Sequence, residues 1–350
     1  MPREIGLLRF SGVAAILLLF GTPQASELRL GGQHGTADSV NGDAVLVQEF
    51  GKQFARYSEY LNSGPINWSD STATGKVLFR RPDCWFFNKN SLTYMLSREL
   101  SATKIEEKNM GLISSLARSF KTKGIDLIVV PLPGKTDLYG DKVVPGVKHP
   151  IPNPLYYWTL RRLEVEHIEY VNVLDTMQRM VLENSNAAEL FLRSYDFLSP
   201  RGVSIVAEEV SRKIREMPWY LGCTKTYFSR RASKDAYFAD VATRGVPEAC
   251  AKQDVEFTRV FDKAGKPFRP TANAPIIVTG QYSRLYEDMI SSNSGLPSLI
   301  ADNLSCSLDW VVQLIDDLPS LPRAIGKRIG ESTVSPKVVI LVVDMVALCK

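Results

Sequence analysis

The residues best placed to do chemistry lie between Leu192 and Gly202, in LRSYDFLSPRG. A strand-like run leads into a short polar elbow, Ser199-Pro200 marks a helix start, and VSIVAEEVSRKI continues as an amphipathic helix from Val203 to Ile214. An elbow of this kind presents side chains at the edge of a sheet. Acyl transfer through a serine at such an edge needs an imidazole to take the hydroxyl proton. It also needs a carboxylate to fix the imidazole's tautomer and stabilise its charge. The elbow carries Asp196 but no histidine, and the whole chain has three. His34 sits in a GGQHG segment near the start. His149, in KHPIPNP, is flanked by prolines in a loop that can fold over a sheet edge, and His167 ends LRRLEVEH, where a cation suits the helix dipole. Asp196 with Ser283 makes a tempting dyad, but a carboxylate alone is a weak base toward serine.

Four further blocks stand in order around this elbow: Cys84-Trp85-Phe86-Phe87, GIDLIVVPLPGK from Gly124 to Lys135, PIIVTGQYSR from Pro275 to Arg284, and KVVILVVD from Lys337 to Asp344. Together they resemble the periplasmic alginate O-acetyltransferases. That family's block reads Asp-x-His-Trp-Ser/Thr-Pro-x-Gly, and its domain resembles the SGNH hydrolases. The similarity spans about residues 75 to 347. It includes the order of the blocks, with Asp-x-His before the serine, the reverse of ordinary SGNH hydrolases. The resemblance implies an α/β fold, a three-layer SGNH-hydrolase-like sandwich with a mostly parallel central sheet. Residue by residue it puts the family's aspartate on Tyr195 and its histidine on Phe197. The serine falls on Gln281 when Tyr282-Ser283-Arg284 is matched to the motif's end, or on Tyr282 with a shift of one.

In active relatives, by the same resemblance, acetyl passes from a donor to serine and then to a uronate hydroxyl, with backbone amides stabilising the oxyanion. No cofactor and no metal is implied. With Tyr195, Phe197 and Gln281 in the triad positions, the chain is expected to be a non-catalytic member that binds an exopolysaccharide, an anionic uronate polymer in particular, or proteins of an envelope acetylation complex. Aromatic faces stack on sugar rings, and an amide serves hydroxyls as donor and acceptor. Arg193 and Arg284, at the two elbows, suit uronate carboxylates, because a guanidinium fork matches a carboxylate. Tyr282 and Ser283 complete the binding set. The alternative is an active O-acetyltransferase or acetylesterase using displaced residues, Ser283 with His149.

The chain has 350 residues, 45% of them hydrophobic, and a formal charge of +4. It can therefore bury one large core or two modest ones. No Lys/Arg block is dense enough for nucleic acid. The start, MPREIGLLRFSGVAAILLLFGTPQA, has Arg3 and Arg9 before an apolar run from Phe10 to Phe20. That run is short for a bilayer span, so residues 1–25 read as an export signal and the protein as periplasmic. Pro23 at the −3 position keeps an uncleaved anchor open. Removing Arg3, Arg9 and Glu4 takes the charge from +4 to +3. Five cysteines, Cys84, Cys223, Cys250, Cys306 and Cys349, form no CxxC motif. They read as one or two disulfides plus a thiol, or as buried free thiols; the resemblance implies the pair Cys84–Cys250.

The elements must bring these blocks together. After a leader, Ala44–Leu61 reads as a helix, residues 63–75 as polar turn, and VLFR and CWFFN as a hairpin or two edge strands with Trp85, Phe86 and Phe87 facing the core. Ile105–Lys123 is helical, with Gly124 as its stop. IDLIVVPLP is a strand buried on both faces of a parallel sheet. Leu155–Glu166 reads as helix, Ile168–Val173 as strand and Thr176–Leu182 as helix. Tyr156, Tyr157 and Trp158 cannot all face one core, so at least one of them is expected to be exposed. Ala188–Leu192 is a short extended run. Residues 223–270 read as an irregular, basic insertion with one edge strand, VEFTRVF. A helix over Ser283–Ile290, amphipathic DWVVQLIDDL and the strand VVILVVD follow. The domain plan is a signal at 1–25, a leader and helix at 26–75, and an acetyltransferase-like domain at 76–350.

Overall fold

A computed structural model describes residues 38–348, apart from 64–67, 72–75, 81–82, 97–103, 145, 148–151, 184–188, 239–247, 281–284, 290 and 312–318. The chain divides into two compact units, residues 1–48 and 49–350. The described part of the first is the opening of helix α1 (Asp38–Ser63). Within the second, Phe50, Phe54 and Tyr57 of α1 recur at helical spacing and are buried. Strands β1 (Trp68–Ser71), β2 (Lys76–Arg80) and β3 (Phe86–Asn88) form an antiparallel sheet. Its first strand corrects the polar turn expected over residues 63–75.

Helix α2 (Lys89–Met95), helix α3 (Lys104–Lys121), strand β4 (Asp126–Leu132) and the short helix α4 (Lys135–Tyr139) follow. After them come α5 (Pro154–Val165), β5 (Glu169–Tyr170), α6 (Leu174–Glu183) and α7 (Pro200–Arg215). The strand expected over Ile168–Val173 contracts to two residues, because only Glu169 and Tyr170 pair with β4. Strands β6 (Phe228–Phe238) and β7 (Lys252–Asp262) then form a two-stranded antiparallel ribbon in continuous register. This corrects the irregular insertion. Charges that suggested a loop are paired across the ribbon instead, Lys234 with Glu256 and Asp235 with Arg259.

The rest of the chain adds β8 (Ile276–Thr279), helix Leu296–Leu304, β9 (Asp309–Val311), helix Leu321–Glu331 and β10 (Val338–Asp344). Two further expectations change here. The start of DWVVQLIDDL is strand β9, because Asp309–Val311 pairs with Ile277–Thr279. Of the helix expected over Ser283–Ile290, the described part, Leu285–Met289, is a π-helical turn and not an α-helix. Tyr156 is buried, while Tyr157 and Trp158 are both half-buried, so none of the three is exposed.

The central sheet runs β5-β4-β10-β8-β9, and every pairing in it is parallel. In β4 six consecutive residues from Leu127 are buried, and in β10 six from Val338. Such runs need helices on both faces, which is the expected layered α/β sandwich. Helix α7 contributes Val203, Ile205, Val206, Val210 and Ile214 to this core, each fully buried aliphatic side chain contributing about 1.5–3 kcal/mol. Parallel strands end at one common edge. The segments that leave β4 and β8 there are the ones that carried chemistry in the sequence.

Candidate functional site

The elbow closes by backbone geometry alone. Phe191 and Leu198 form an antiparallel bridge, the Leu192 N–H donates to the Phe197 carbonyl at 2.9 Å, and the Ser199 N–H donates to the Leu190 carbonyl at 2.9 Å. Ser199 caps α7. Its hydroxyl accepts from the Gly202 N–H at 3.2 Å and donates to the Glu189 carbonyl. A Cβ on Gly202 would stand 2.3 Å from the Leu190 carbonyl oxygen, so the loop can press on the helix only over a glycine. At the end of β8, Gly280 has φ +120°, and a Cβ there would stand 2.3 Å from the Val342 carbonyl oxygen.

A lysine that the sequence reading left unassigned lies beneath the elbow. Lys135 follows β4 and is 1% exposed. Its Nζ donates to the carbonyls of Phe86 at 2.7 Å, Leu192 at 2.8 Å, Arg193 at 2.7 Å and Tyr195 at 3.0 Å. It also lies 5.0 Å from the Trp85 ring centre and 4.9 Å from that of Phe87. Burial pushes its amine down to about 7, against the pull of Asp196 and Glu189. The carbonyl cage works in the opposite direction. Four oxygens at hydrogen-bond distance are better served by the three protons of an ammonium than by the two of an amine. A lysine directly after a buried strand and Pro-Gly was the available signal.

Two residues further on, Asp137 is buried and accepts from the Gly134 N–H at 2.7 Å and the Asn153 N–H at 2.9 Å. Burial raises its carboxyl to about 7, while the bonds from Asn153, Gly134 and Tyr94 oppose the shift.

Other elements fix the elbow from the sides. The Phe86 N–H donates to the Arg193 carbonyl at 2.9 Å, joining β3 to it. Asp196 accepts from the Asn88 N–H and the Ser91 hydroxyl, both at 3.0 Å, so it anchors the start of α2. From β7, the Gln253 side chain accepts from the Arg193 N–H at 2.9 Å and donates to Glu189 at 3.3 Å. Cys84 is bonded to Cys250, the pair the resemblance implied, and staples the start of β3 to the start of β7. A second disulfide joins Cys223 to Cys306. Behind the elbow, the Tyr286 hydroxyl donates to the Leu198 carbonyl at 2.7 Å, tying in the chain that leaves β8.

At the positions matched to the acid and the base, Tyr195 and Phe197 are half-buried rings stacked on each other, 4.1 Å between centres and 25° between planes. The Arg193 guanidinium donates to Glu189 at 2.6 Å. Gln281, Tyr282, Ser283 and Arg284 lie outside the described residues, as do His34, His149 and Cys349. His167 is exposed and just precedes β5, which puts it at the sheet edge opposite the elbow. Trp85, Phe86 and Phe87 are all buried. Among the described residues no group of His, Cys, Asp and Glu could hold a metal ion.

The family model for the SGNH hydrolase-like domain of the acetyltransferase AlgX matches residues 80–280, more than half of the chain. The chain belongs to this AlgX-type family. Among solved structures, it is similar to the O-acetyltransferase domain of Pseudomonas putida AlgJ, with TM-score 0.60 and 15% identity over 78% of this chain and 92% of that one. It is similar also to Pseudomonas aeruginosa AlgX, with TM-score 0.55 and 14% identity over 78% of this chain and 63% of that one. No curated protein sequence matches it. The two likenesses carry the AlgX-type fold, and the family match places the chain among the alginate O-acetyltransferase proteins.

Proposed function

We propose that this chain is an exported, periplasmic, non-catalytic member of its family. It binds an exopolysaccharide, a uronate polymer in particular, at the elbow, as a component of an envelope acetylation complex. The observation that carries the reading is the Tyr195–Phe197 stack at the positions matched to the family's carboxylate and imidazole. Neither ring takes a proton from a serine at neutral pH, and together they offer an apolar platform of the kind that packs against a sugar face. Supporting it, Asp196, the carboxylate between them, is occupied by the start of α2, and His167 sits at the other sheet edge. Arg193 is already engaged by Glu189, so it meets a uronate only by exchanging that partner. The AlgX-type family and the export signal read from residues 1–25 support the compartment. No described helix is long and apolar enough to cross a membrane.

The test uses purified protein with p-nitrophenyl acetate and, separately, calorimetry with uronate oligosaccharides. The proposal expects no turnover above background for the parent or for Ser283→Ala, and saturable oligosaccharide binding that Phe197→Ala weakens at least tenfold. Turnover that falls with Ser283→Ala or His149→Ala would replace it with the displaced-residue enzyme.

A further inference from the structure

A groove of about 1020 Å³ runs beside the elbow, bounded by the ends of α6 and α7 and by β7, and reaching Ala232 of β6 beside Thr258. Arg193 lines it, but Tyr195 and Phe197 do not. Six consecutive residues of β7, Gln253 to Thr258, line it together. Side chains of a strand alternate between faces, so a groove that meets every residue in succession follows the strand's edge.

The direction of that edge can be read from its neighbours. The Val260 N–H donates to the Asn293 carbonyl, the Val260 carbonyl accepts from the Phe268 N–H, and the Asp262 N–H donates to the Lys266 carbonyl. Even-numbered residues of β7 therefore turn their backbone groups away from β6. The one-to-one register with β6 carries this parity unbroken to Asp254. The outward N–H and C=O groups of Asp254, Glu256 and Thr258 have no hydrogen-bond partner among the described residues. Their span, Asp254 to Thr258, is about 14 Å at strand rise.

We propose that this groove takes an extended peptide segment of a partner protein, which adds to β7 as a third strand of the ribbon. The groove's charge sets the chemistry of that segment. Five carboxylates and three basic side chains line it; Asp141 and Glu189 pair with Lys142 and Arg193 of the lining, while Glu256 and Asp254 pair with Lys234 and Lys252 of the ribbon, so a basic segment meets β7's carboxylates by exchanging those lysines. Leu182, 57% exposed at the end of α6, also lines the groove. The matching segment alternates apolar side chains with lysine or arginine, its backbone bonded to β7. A second copy of the same edge fits poorly, because antiparallel pairing about Glu256 sets that carboxylate against itself. This inference stands whether or not the elbow binds sugar.

The test is fluorescence anisotropy on the full-length protein with a labelled, end-blocked octapeptide of alternating valine and lysine. Three further peptides accompany it: one with glutamate for lysine, and two N-methylated at every valine or at every lysine. The expected result is saturable binding of the valine-lysine peptide, at least tenfold weaker for the glutamate peptide and for one N-methylated frame, since a strand turns alternate N–H groups toward its neighbour. Glu256→Pro removes one outward donor without touching the ladder to β6 and weakens binding at least tenfold, while Glu256→Ala stays within about threefold. If Glu256→Pro does not fold, the N-methylated peptides carry the test on the parent protein. Absence of saturation, equal binding of both N-methylated frames, displacement by uronate oligosaccharide, or a dimer that Glu256→Pro abolishes would each overturn the proposal.

Discussion

Replacing Lys135 by methionine keeps most of the side-chain volume and removes the ammonium from its cage. Two of the four carbonyls have a second donor, since Arg193 accepts from the Phe86 N–H and Leu192 from the Tyr195 N–H. The carbonyls of Phe86 and Tyr195 lose the lysine donor. At about 1–3 kcal/mol for each of these charge-assisted hydrogen bonds lost, the loss is roughly 2–6 kcal/mol. Release from burying a charged group offsets part of it, leaving a net cost of about 3 kcal/mol. For a unit of roughly 300 residues, with an unfolding entropy of about 2.1 cal/mol/K per residue, that corresponds to a fall of about 5 °C in Tm. The assay is thermal unfolding with disulfides intact, followed by far-UV and near-UV circular dichroism. The near-UV signal sums all the aromatic rings, including Trp85 and Phe87 against the lysine and the Tyr195–Phe197 stack on the elbow above it. A Tm within about 1 °C of the parent and an unchanged near-UV spectrum would refute the cage as the elbow's support.

Asp137 gives a pH test. Its folded carboxyl is raised from 3.8 to about 7, so the folded state holds this proton more tightly than the unfolded chain. The resulting stabilisation is complete below pH 3.8 and lost as pH rises through 7. Between pH 4 and pH 7 the stability difference between the parent and Asp137→Asn should move toward the variant by up to about 4 kcal/mol, measured by urea unfolding; a difference that does not change with pH would contradict it. Cys84 and Cys250 are 166 residues apart, and removing their bond as Cys84→Ser/Cys250→Ser should cost about 5 kcal/mol on the chain-entropy account, read from the urea midpoint. Gly202→Ala, with a Cβ driven against the Leu190 carbonyl, should cost about 2 kcal/mol or more, lowering Tm while Gly326→Ala, in open space, does not.

Much of the scaffold was legible because it is written in strong local signals. The continuous apolar runs at Leu127–Leu132 and Val338–Val343 announce strands covered on both faces. Ser199-Pro200 ahead of a period-3.6 helix announces α7, whose cap and first turn begin as expected. Signals failed where pairing partners are remote. Asp309–Val311 carries helical periodicity into DWVVQLIDDL, yet the exposed edge of β8 claims it as a strand. The ribbon of β6 and β7 looks irregular in one dimension because its charges are satisfied across strands, not along them.

The sequence by itself determined that residues 192–202 contain no histidine, since no folding can put one at position 197. It also marked β4 and β10 as strands buried on both faces, because a continuous apolar run is a local pattern. Only the tertiary structure decided how the elbow is held. The carbonyls around Lys135 come from residues 49 to 60 positions away along the chain, and a backbone oxygen leaves no mark in a sequence. The edge of β7, whose outward groups find no partner among the described residues, was likewise decided in three dimensions, because whether a strand's outward N–H groups are paired depends on what packs beside it and not on which side chains it carries.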